Sequence, residues 1–197
     1  MPQYHYLIPE QQKGLEKNLE YAFVCDSTEE AEDCFVDAKE RLMDVNNWNK
    51  YGGIDELEFK LSDSHGKEMH RHARKSDHIK IATEGGSGEL DWVAIEAIEY
   101  DDYPDQGMET FGMRLHPSAD PVNKIEGSAA YSLADNATST FVILRRGKKL
   151  LATYHGRNDG GYTDATKGEG SQAWLGLTDL QWANLISGIA EPGMIKR

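Results

Sequence analysis

Four polar side chains on predicted strands have the chemistry to act on a bound molecule: Arg114, His116, Tyr154 and His155. A guanidinium holds anionic groups, and imidazole or phenol groups exchange protons, so this set fits acid–base catalysis in a pocket. Strand side chains alternate between the two faces of a sheet, and a register error of one residue exchanges interior for solvent. From the sequence, both a pocket location and a solvent location stay open for these residues.

A histidine pair raises the question of a metal site. In "HRH", His70 and His72 would share one face of a strand, and a third imidazole from His78 or His155 would complete a zinc triad. No Asp or Glu stands at a recognisable spacing to act as a third ligand. A solvated strand edge is the simpler explanation, and no metal site is predicted.

Other catalytic and ion-binding patterns are missing from the chain. There is no Gly-x-Ser-x-Gly elbow, and the Gly-rich stretch "TEGGSGEL" lacks the Lys and hydroxyl of a phosphate loop, which leaves a hairpin loop. The acidic stretches "YDDYPDQ" and "GRNDGGYTD" lack the ligand spacing of a calcium loop. We therefore predict no catalytic residue and no cofactor, and favour a binding protein over an enzyme.

Composition limits the partners and the compartment. The 197 residues, 39% apolar and 28% charged, suffice for one domain with a substantial core. A net charge of −13 repels nucleic acids and anionic membranes, so neither is expected as a partner. No secretory leader and no membrane-spanning apolar run is apparent, and Cys25 and Cys34 are the only cysteines. We expect a reduced, cytoplasmic protein.

The first half of the chain predicts a strand followed by helices. Strand-forming residues run from Glu20 to Asp26, and Ser27 with Glu30 has the spacing of a capping box. Apolar residues at helical spacing then form one stripe: Ala31, Phe35, Ala38, Leu42 and Val45. Trp48 and Tyr51 follow on a short turn, where they either pack at a corner or close the end of a pocket.

The second half predicts strands and a closing helix. Five strand-like segments follow Ile54, and one of them is apolar at every position from Phe141 to Leu144. Such a strand is covered on both faces, by the chain's own terminal segments or by a second subunit. Thr178 and Gln181 then form a second capping box before a helix of about twelve residues.

This order of elements resembles the START-related, polyketide-cyclase-like superfamily, which has the helix-grip fold. The likeness rests on "STEEAEDCFVDAKERLMDVNNWNKYGG", "RKSDHIKIA" and "DWVAIEAIEYDD" with "METFGMRLH", and it spans Tyr21 to Ala190. The chain also resembles a family of uncharacterised bacterial single-domain proteins. The resemblance implies an α+β fold, in which a curved antiparallel sheet wraps around an N-terminal helix pair and a short C-terminal helix. The predicted single domain has an extension (1–19), a core (20–190) and a tail (191–197).

The helix-grip resemblance also implies a function. Between sheet and helices it places an apolar cavity for a lipid or an aromatic molecule, although the long stretches 116–140 and 158–176 depart from the pattern and would fill it. The leading hypothesis is a non-catalytic protein that binds a hydrophobic small molecule; the alternatives are a protein-interaction module or homodimer, and a cyclase- or hydrolase-like enzyme. The candidate ligand-binding residues are Trp48, Tyr51, Trp92, Phe111, Met113, Arg114, Tyr154, His155 and Trp182.

Overall fold

The computed structural model describes residues 6–83, 91–123, 136–159 and 177–192. The hairpin loop predicted in "TEGGSGEL" falls largely outside the described residues, as do parts of the two long stretches that depart from the helix-grip pattern.

Seven antiparallel strands form one sheet in the order β1-β7-β6-β5-β4-β3-β2, so that β1 and β2 are its edges. A register shift in β4 between Ile95 and Ala97 marks a bulge, which bends a strand. The strands are β1 (Leu15–Val24), β2 (Leu57–Ser62), β3 (His78–Thr83), β4 (Asp91–Tyr103), β5 (Met108–Ser118), β6 (Thr138–Arg146) and β7 (Lys149–Asp159).

Within the described ranges, three helices pack on the face of the sheet that carries Phe59, Phe141 and Tyr154, here called the inner face. They are α1 (Thr28–Met43), α2 (Trp48–Gly52) and α3 (Asp179–Ala190). The predicted α+β class, with a helix pair after the first strand and a short C-terminal helix, is confirmed.

The capping box predicted at α3 forms in full. At α1 the Ser27 cap forms, but the Glu30 carboxylate binds the amide one residue before the cap. The Glu30 amide donates to Ser27 Oγ at 3.0 Å, and the Glu30 carboxylate accepts from the Asp26 amide at 2.7 Å. At α3, the Gln181 amide donates to Thr178 Oγ1 while the Gln181 side chain accepts from the Thr178 amide. Because these bonds satisfy amides that lack partners inside the helix, both helices start where the sequence predicts.

A buried arginine ties α1 to the end of α3. Arg41 is 7% exposed, and its Nη1 donates to the carbonyl oxygens of Ile189 at 3.3 Å and Glu191 at 2.6 Å. Carbonyls at a helix C-terminus lack partners inside the helix, and a cation also complements the helix dipole there. The C-terminal end of α3 is therefore anchored by a charge-assisted contact.

Two element predictions were wrong. β1 starts at Leu15 and not at Glu20. The residues before Glu20 are mostly polar, and a strand can include them here because β1 is an edge strand that pairs with β7 alone. His70 and His72 lie exposed in the connection between β2 and β3, not on a strand. That connection is held instead to the helical layer, where the Ala73 amide donates to the Met43 carbonyl at 2.8 Å.

The N-terminal segment, residues 6–13, crosses the opposite, outer face of the sheet. Leu7 is 4% exposed and lies over Gly112, and its carbonyl accepts from Arg114 Nη1 at 3.0 Å. Val142, the β6 partner of Gly112, is buried beside it. The outward side chains of the apolar strand are thus covered at this point by the chain's own terminal segment, one of the two covers that the sequence predicts.

Replacing Leu7 and Gly112 tests this cover. We expect Leu7→Ala to lower the free energy of unfolding by about 2–3 kcal/mol through lost burial. Gly112→Ala places its methyl carbon 2.3 Å from Leu7 Cδ1 and displaces that side chain, at a cost of about 1–3 kcal/mol. In the double variant the clash is absent, and urea unfolding should show a loss clearly smaller than the two single losses combined. Strict additivity would contradict the contact.

Candidate functional site

Five aromatic side chains occupy the space between the helices and the inner face, and together they form the aromatic cluster: Trp48, Phe59, Phe141, Tyr154 and Trp182. Phe141 lies at its centre, with ring centroids 5.3 Å from Trp48, 5.3 Å from Tyr154 and 5.7 Å from Trp182. Tyr154 and Trp182 stack at 4.5 Å with an angle of 16° between their planes. Each pair adds about 0.5–1.5 kcal/mol beyond its buried area. The cluster therefore joins β2, β6, β7, α2 and α3 into one core.

Trp48 and Tyr51 fix the corner between α1 and α2. Trp48 Nε1 donates to the Leu42 carbonyl at 3.1 Å, and the Tyr51 hydroxyl donates to Asp44 Oδ2 at 2.6 Å. Burial and the Asp44 carboxylate raise the pKa of Tyr51 above its ordinary value, so the phenol stays protonated. Both predicted residues lie at this corner, with Trp48 inside the aromatic cluster and Tyr51 half-buried at its edge.

The stacked pair carries two polar atoms into the apolar interior. The Tyr154 hydroxyl lies 3.0 Å from Ser139 Oγ, and both residues are fully buried. Trp182 Nε1 is also buried and has no hydrogen-bond partner among the described residues. A buried donor without a partner costs about 1–3 kcal/mol. This indole N–H is therefore an interior donor in need of an acceptor.

The unfilled space beside this core is small. A void of about 10 Å³ lies between α1, α3 and the central strands, which is room for about one water molecule. Pockets for small molecules measure roughly 300–1,000 Å³. This void is therefore too small for a ligand of that size. The void is lined by Leu42, Phe141, Val142, Ile143, Ala152, Thr153, Ile186 and Ile189.

Phe111 and Met113 lie on the inner face and are buried in the same core as Tyr154 and Trp182.

Sequence reasoning missed Ser139, whose hydroxyl contacts Tyr154 only through the pairing of β6 with β7. It also missed Lys17, which faces the inner side of the sheet opposite Gly156. No local pattern marks either residue, because each is placed by its strand partner.

Three predicted residues lie on the outer face, away from the aromatic cluster. Arg114 makes two hydrogen bonds to the Glu96 carboxylate, at 2.9 and 3.1 Å. His155 Nδ1 lies 2.7 Å from Asn18 Oδ1. Trp92 lies half-buried beneath Lys80, whose ammonium is 6.0 Å from its ring centroid. The structure does not bring these three side chains to the same site as Tyr154 and Trp182.

The outer-face position of His116 follows from the same pairing. His116 faces Ala94 across the β4–β5 ladder, and its Nδ1 lies 2.9 Å from the Pro117 carbonyl. Of the four polar side chains first considered for acid–base chemistry, only Tyr154 faces the interior.

Both cysteines are free and buried, and Cys34 packs in the core stripe of α1. Burial, with a smaller contribution from the neighbouring Cys25, raises the pKa of Cys34 to about 11. The thiolate is the reactive form of cysteine, so neither burial nor ionisation favours Cys34 as a nucleophile.

Within the described ranges, no group of three or more His, Cys, Asp or Glu side chains has the arrangement of a metal site. None of the helices in those ranges combines the length and the apolar character needed to cross a membrane.

Comparisons with known proteins give similarity of structure only. No family model and no curated protein matches the chain. Among solved structures, it is similar to protein Ms6760 from Mycobacterium smegmatis, at 14% identity and a TM-score of 0.44, over 93% of this chain and 94% of that one. It is also similar to ginseng major latex-like protein 151 from Panax ginseng, at 11% identity and a TM-score of 0.40, over 89% and 93%. A third similar structure is norcoclaurine synthase from Thalictrum flavum, at 11% identity and a TM-score of 0.39, over 92% of this chain and 96% of that one. All three TM-scores are below 0.5, and all three identities are below 15%.

Proposed function

We propose that the protein binds a hydrophobic small molecule between α3 and the inner face of the sheet, against the Tyr154–Trp182 stack. The observation that carries this proposal is the indole N–H of Trp182, a fully buried donor that lacks a partner among the described residues. Buried polar groups in folded proteins are almost always hydrogen-bonded, so an orphan donor requires an explanation. An apolar ligand with one acceptor atom would satisfy it.

The composition of the interior supports the same ligand class. The aromatic cluster offers flat apolar surface, while the Tyr154 and Ser139 hydroxyls add only two polar atoms. Ligand sites are typically lined in this way, by apolar and aromatic side chains with a few polar groups.

Because the adjoining void holds about one water, binding requires α3 to move away from the sheet. The two ends of α3 are held unequally. Arg41 anchors the C-terminal end through buried hydrogen bonds, whereas the polar contacts of the N-terminal end are exposed. They are an ion pair between Lys17 and Asp179, whose carboxylate is 68% exposed, and a hydrogen bond from Gln181 Nε2 to Glu56 Oε1 at 2.6 Å. Exposed ion pairs contribute little stability, so opening starts at the N-terminal end of α3.

A thermal-shift experiment with dodecan-1-ol and 2-naphthol tests the proposal, since both probes are apolar and carry one oxygen. A probe at a hundred times its dissociation constant should stabilise the folded state by roughly 2.7 kcal/mol. Ala152→Val adds carbon atoms to the wall of the void and should reduce the shift. Ala94→Val is a matched change on the outer face and should leave the shift intact.

Two results would contradict the proposal. The absence of a shift with both probes would leave surface recognition as the better candidate. Equal loss of the shift in the two valine variants would mean that the probes do not bind beside the void.

A further inference from the structure

We propose that Lys17 and the residues around Gly156 bind the carboxylate of the ligand, so that the preferred molecule is an apolar monocarboxylic acid with its tail against the Tyr154–Trp182 stack. This inference rests on the proposed function and names the chemical class of the ligand.

The first observation is a bare glycine beside the interior hydroxyls. Gly156 is paired with Lys17 on one side and with Ser139 on the other, which sets the three residues in one row on the inner face. A side-chain carbon on Gly156 would lie 3.3 Å from Lys17 Cβ and 3.6 Å from Tyr154 Oη. The lysine stem and the phenol hydroxyl therefore flank the same spot, where the sheet itself carries no side chain.

The second observation is the environment of the Lys17 ammonium. The Lys17 side chain is 20% exposed, and it forms an ion pair with Asp179 at the start of α3. A largely shielded cation thus lies at the rim of an apolar interior. Its carboxylate partner is mostly in solvent, where an ion pair contributes little stability.

The Asp179 carboxylate shows which group fits this position. It lies in the first turn of α3, where the helix dipole favours a negative charge, and it reaches Lys17 across the gap between helix and strand. A ligand carboxylate that displaces Asp179 would keep the ion pair. It would also lie on the side of α3 that carries Trp182, three residues further along the helix.

The polar atoms near this rim match a ligand that is polar at one end and apolar along the rest of its length. The Tyr154 and Ser139 hydroxyls lie 3.0 Å from each other on the Gly156 side of the interior, and the Trp182 N–H is a donor. Beyond them the interior is apolar, with Phe141, Ile186 and Ile189. A molecule with a single anionic head and an apolar body satisfies both parts.

Titration of the full chain with dodecanoate and dodecan-1-ol, followed by tryptophan fluorescence below the aggregation concentration of either probe, tests the inference. The probes share the same chain length and differ in the head group. For the unchanged protein, the dissociation constant of dodecanoate should be about tenfold lower than that of dodecan-1-ol, because charge-assisted hydrogen bonds are stronger than neutral ones. The readout is the ratio of the two constants.

Two variants should change that ratio of dissociation constants in opposite directions. Lys17→Met keeps the apolar stem, removes the cation and should bring the ratio close to one. Asp179→Asn removes the competing carboxylate and should raise the preference for dodecanoate several-fold. A preference for dodecanoate that survives Lys17→Met, or equal binding of the two probes by the unchanged protein, overturns the carboxylate site while apolar binding stands. Failure of both probes to bind overturns the site and the proposed function together.

Discussion

Replacing Gly188 by alanine is expected to lower the free energy of unfolding by about 3 kcal/mol, even though alanine is the better helix former. A methyl carbon at this position of α3 would lie 1.7 Å from the Tyr51 carbonyl oxygen and 3.3 Å from the Gly52 amide nitrogen. These are backbone atoms of α2, which cannot rotate away as a side chain can. Overpacking of this kind costs about 1–3 kcal/mol, and the two helices must separate to relieve it.

The control for Gly188→Ala lies on the same helix. Asn184→Ala exchanges an exposed side chain of α3 for alanine, and it should raise stability slightly through helix propensity. Chemical denaturation of both variants separates the clash from the propensity term. A Gly188→Ala protein as stable as the parent would mean that the close approach of α2 and α3 is not required for the fold.

The close approach of α2 and α3 could not be predicted from the sequence, in contrast to the helix caps. The caps of α1 and α3 are predictable because each lies within four residues of the groups that it satisfies. Strand alternation in β5 is local in the same sense, since buried Phe111 and Met113 alternate with Gly112 and Arg114 on the other face. Gly188 carries no local signal, since its constraint comes from a backbone more than a hundred residues away.

The candidate site likewise contains residues that local sequence predicts and contacts that only the strand register determines. Trp182 is predictable as an interior aromatic, because large apolar side chains on an amphipathic helix are usually buried, whereas the sequence leaves the face of Tyr154 open. Their stacking and the Ser139 contact depend on the register between strands that are distant in sequence. Lys17 lies in a segment predicted as an extension, and only its pairing with Gly156 turns it toward the interior.

Arg114 and His155 show the complementary difficulty. Both are polar residues on strands, and the sequence leaves open which face they occupy. The pairing of β5, β6 and β7 puts both of them opposite Thr140 on the outer face. Since a shift of one residue reverses the face, only the observed register decides between a pocket and the outer surface.

The second large effect is expected at Arg145, whose removal should cost about 3 kcal/mol. The Arg145 side chain is 7% exposed, and its Nε and Nη2 both contact Glu109 Oε2, at 2.7 and 2.6 Å. The other oxygen of Glu109 accepts from the Tyr100 hydroxyl at 2.9 Å. Burial and the Glu109 carboxylate raise the pKa of Tyr100 to about 12, so that this phenol remains a donor.

Arg145→Met keeps a long apolar side chain and leaves the Glu109 carboxylate, which is 17% exposed, without its cation. An unpaired, largely buried charge is strongly destabilising, whereas replacement of both partners by apolar residues is often nearly neutral. The double variant Arg145→Met, Glu109→Met should therefore recover most of the stability that the single variant loses. Urea unfolding of the parent, both single variants and the double variant measures the coupling. If the double variant is as unstable as Arg145→Met alone, the lost stability comes from packing of the arginine stem, and the ion pair does not hold β5 to β6.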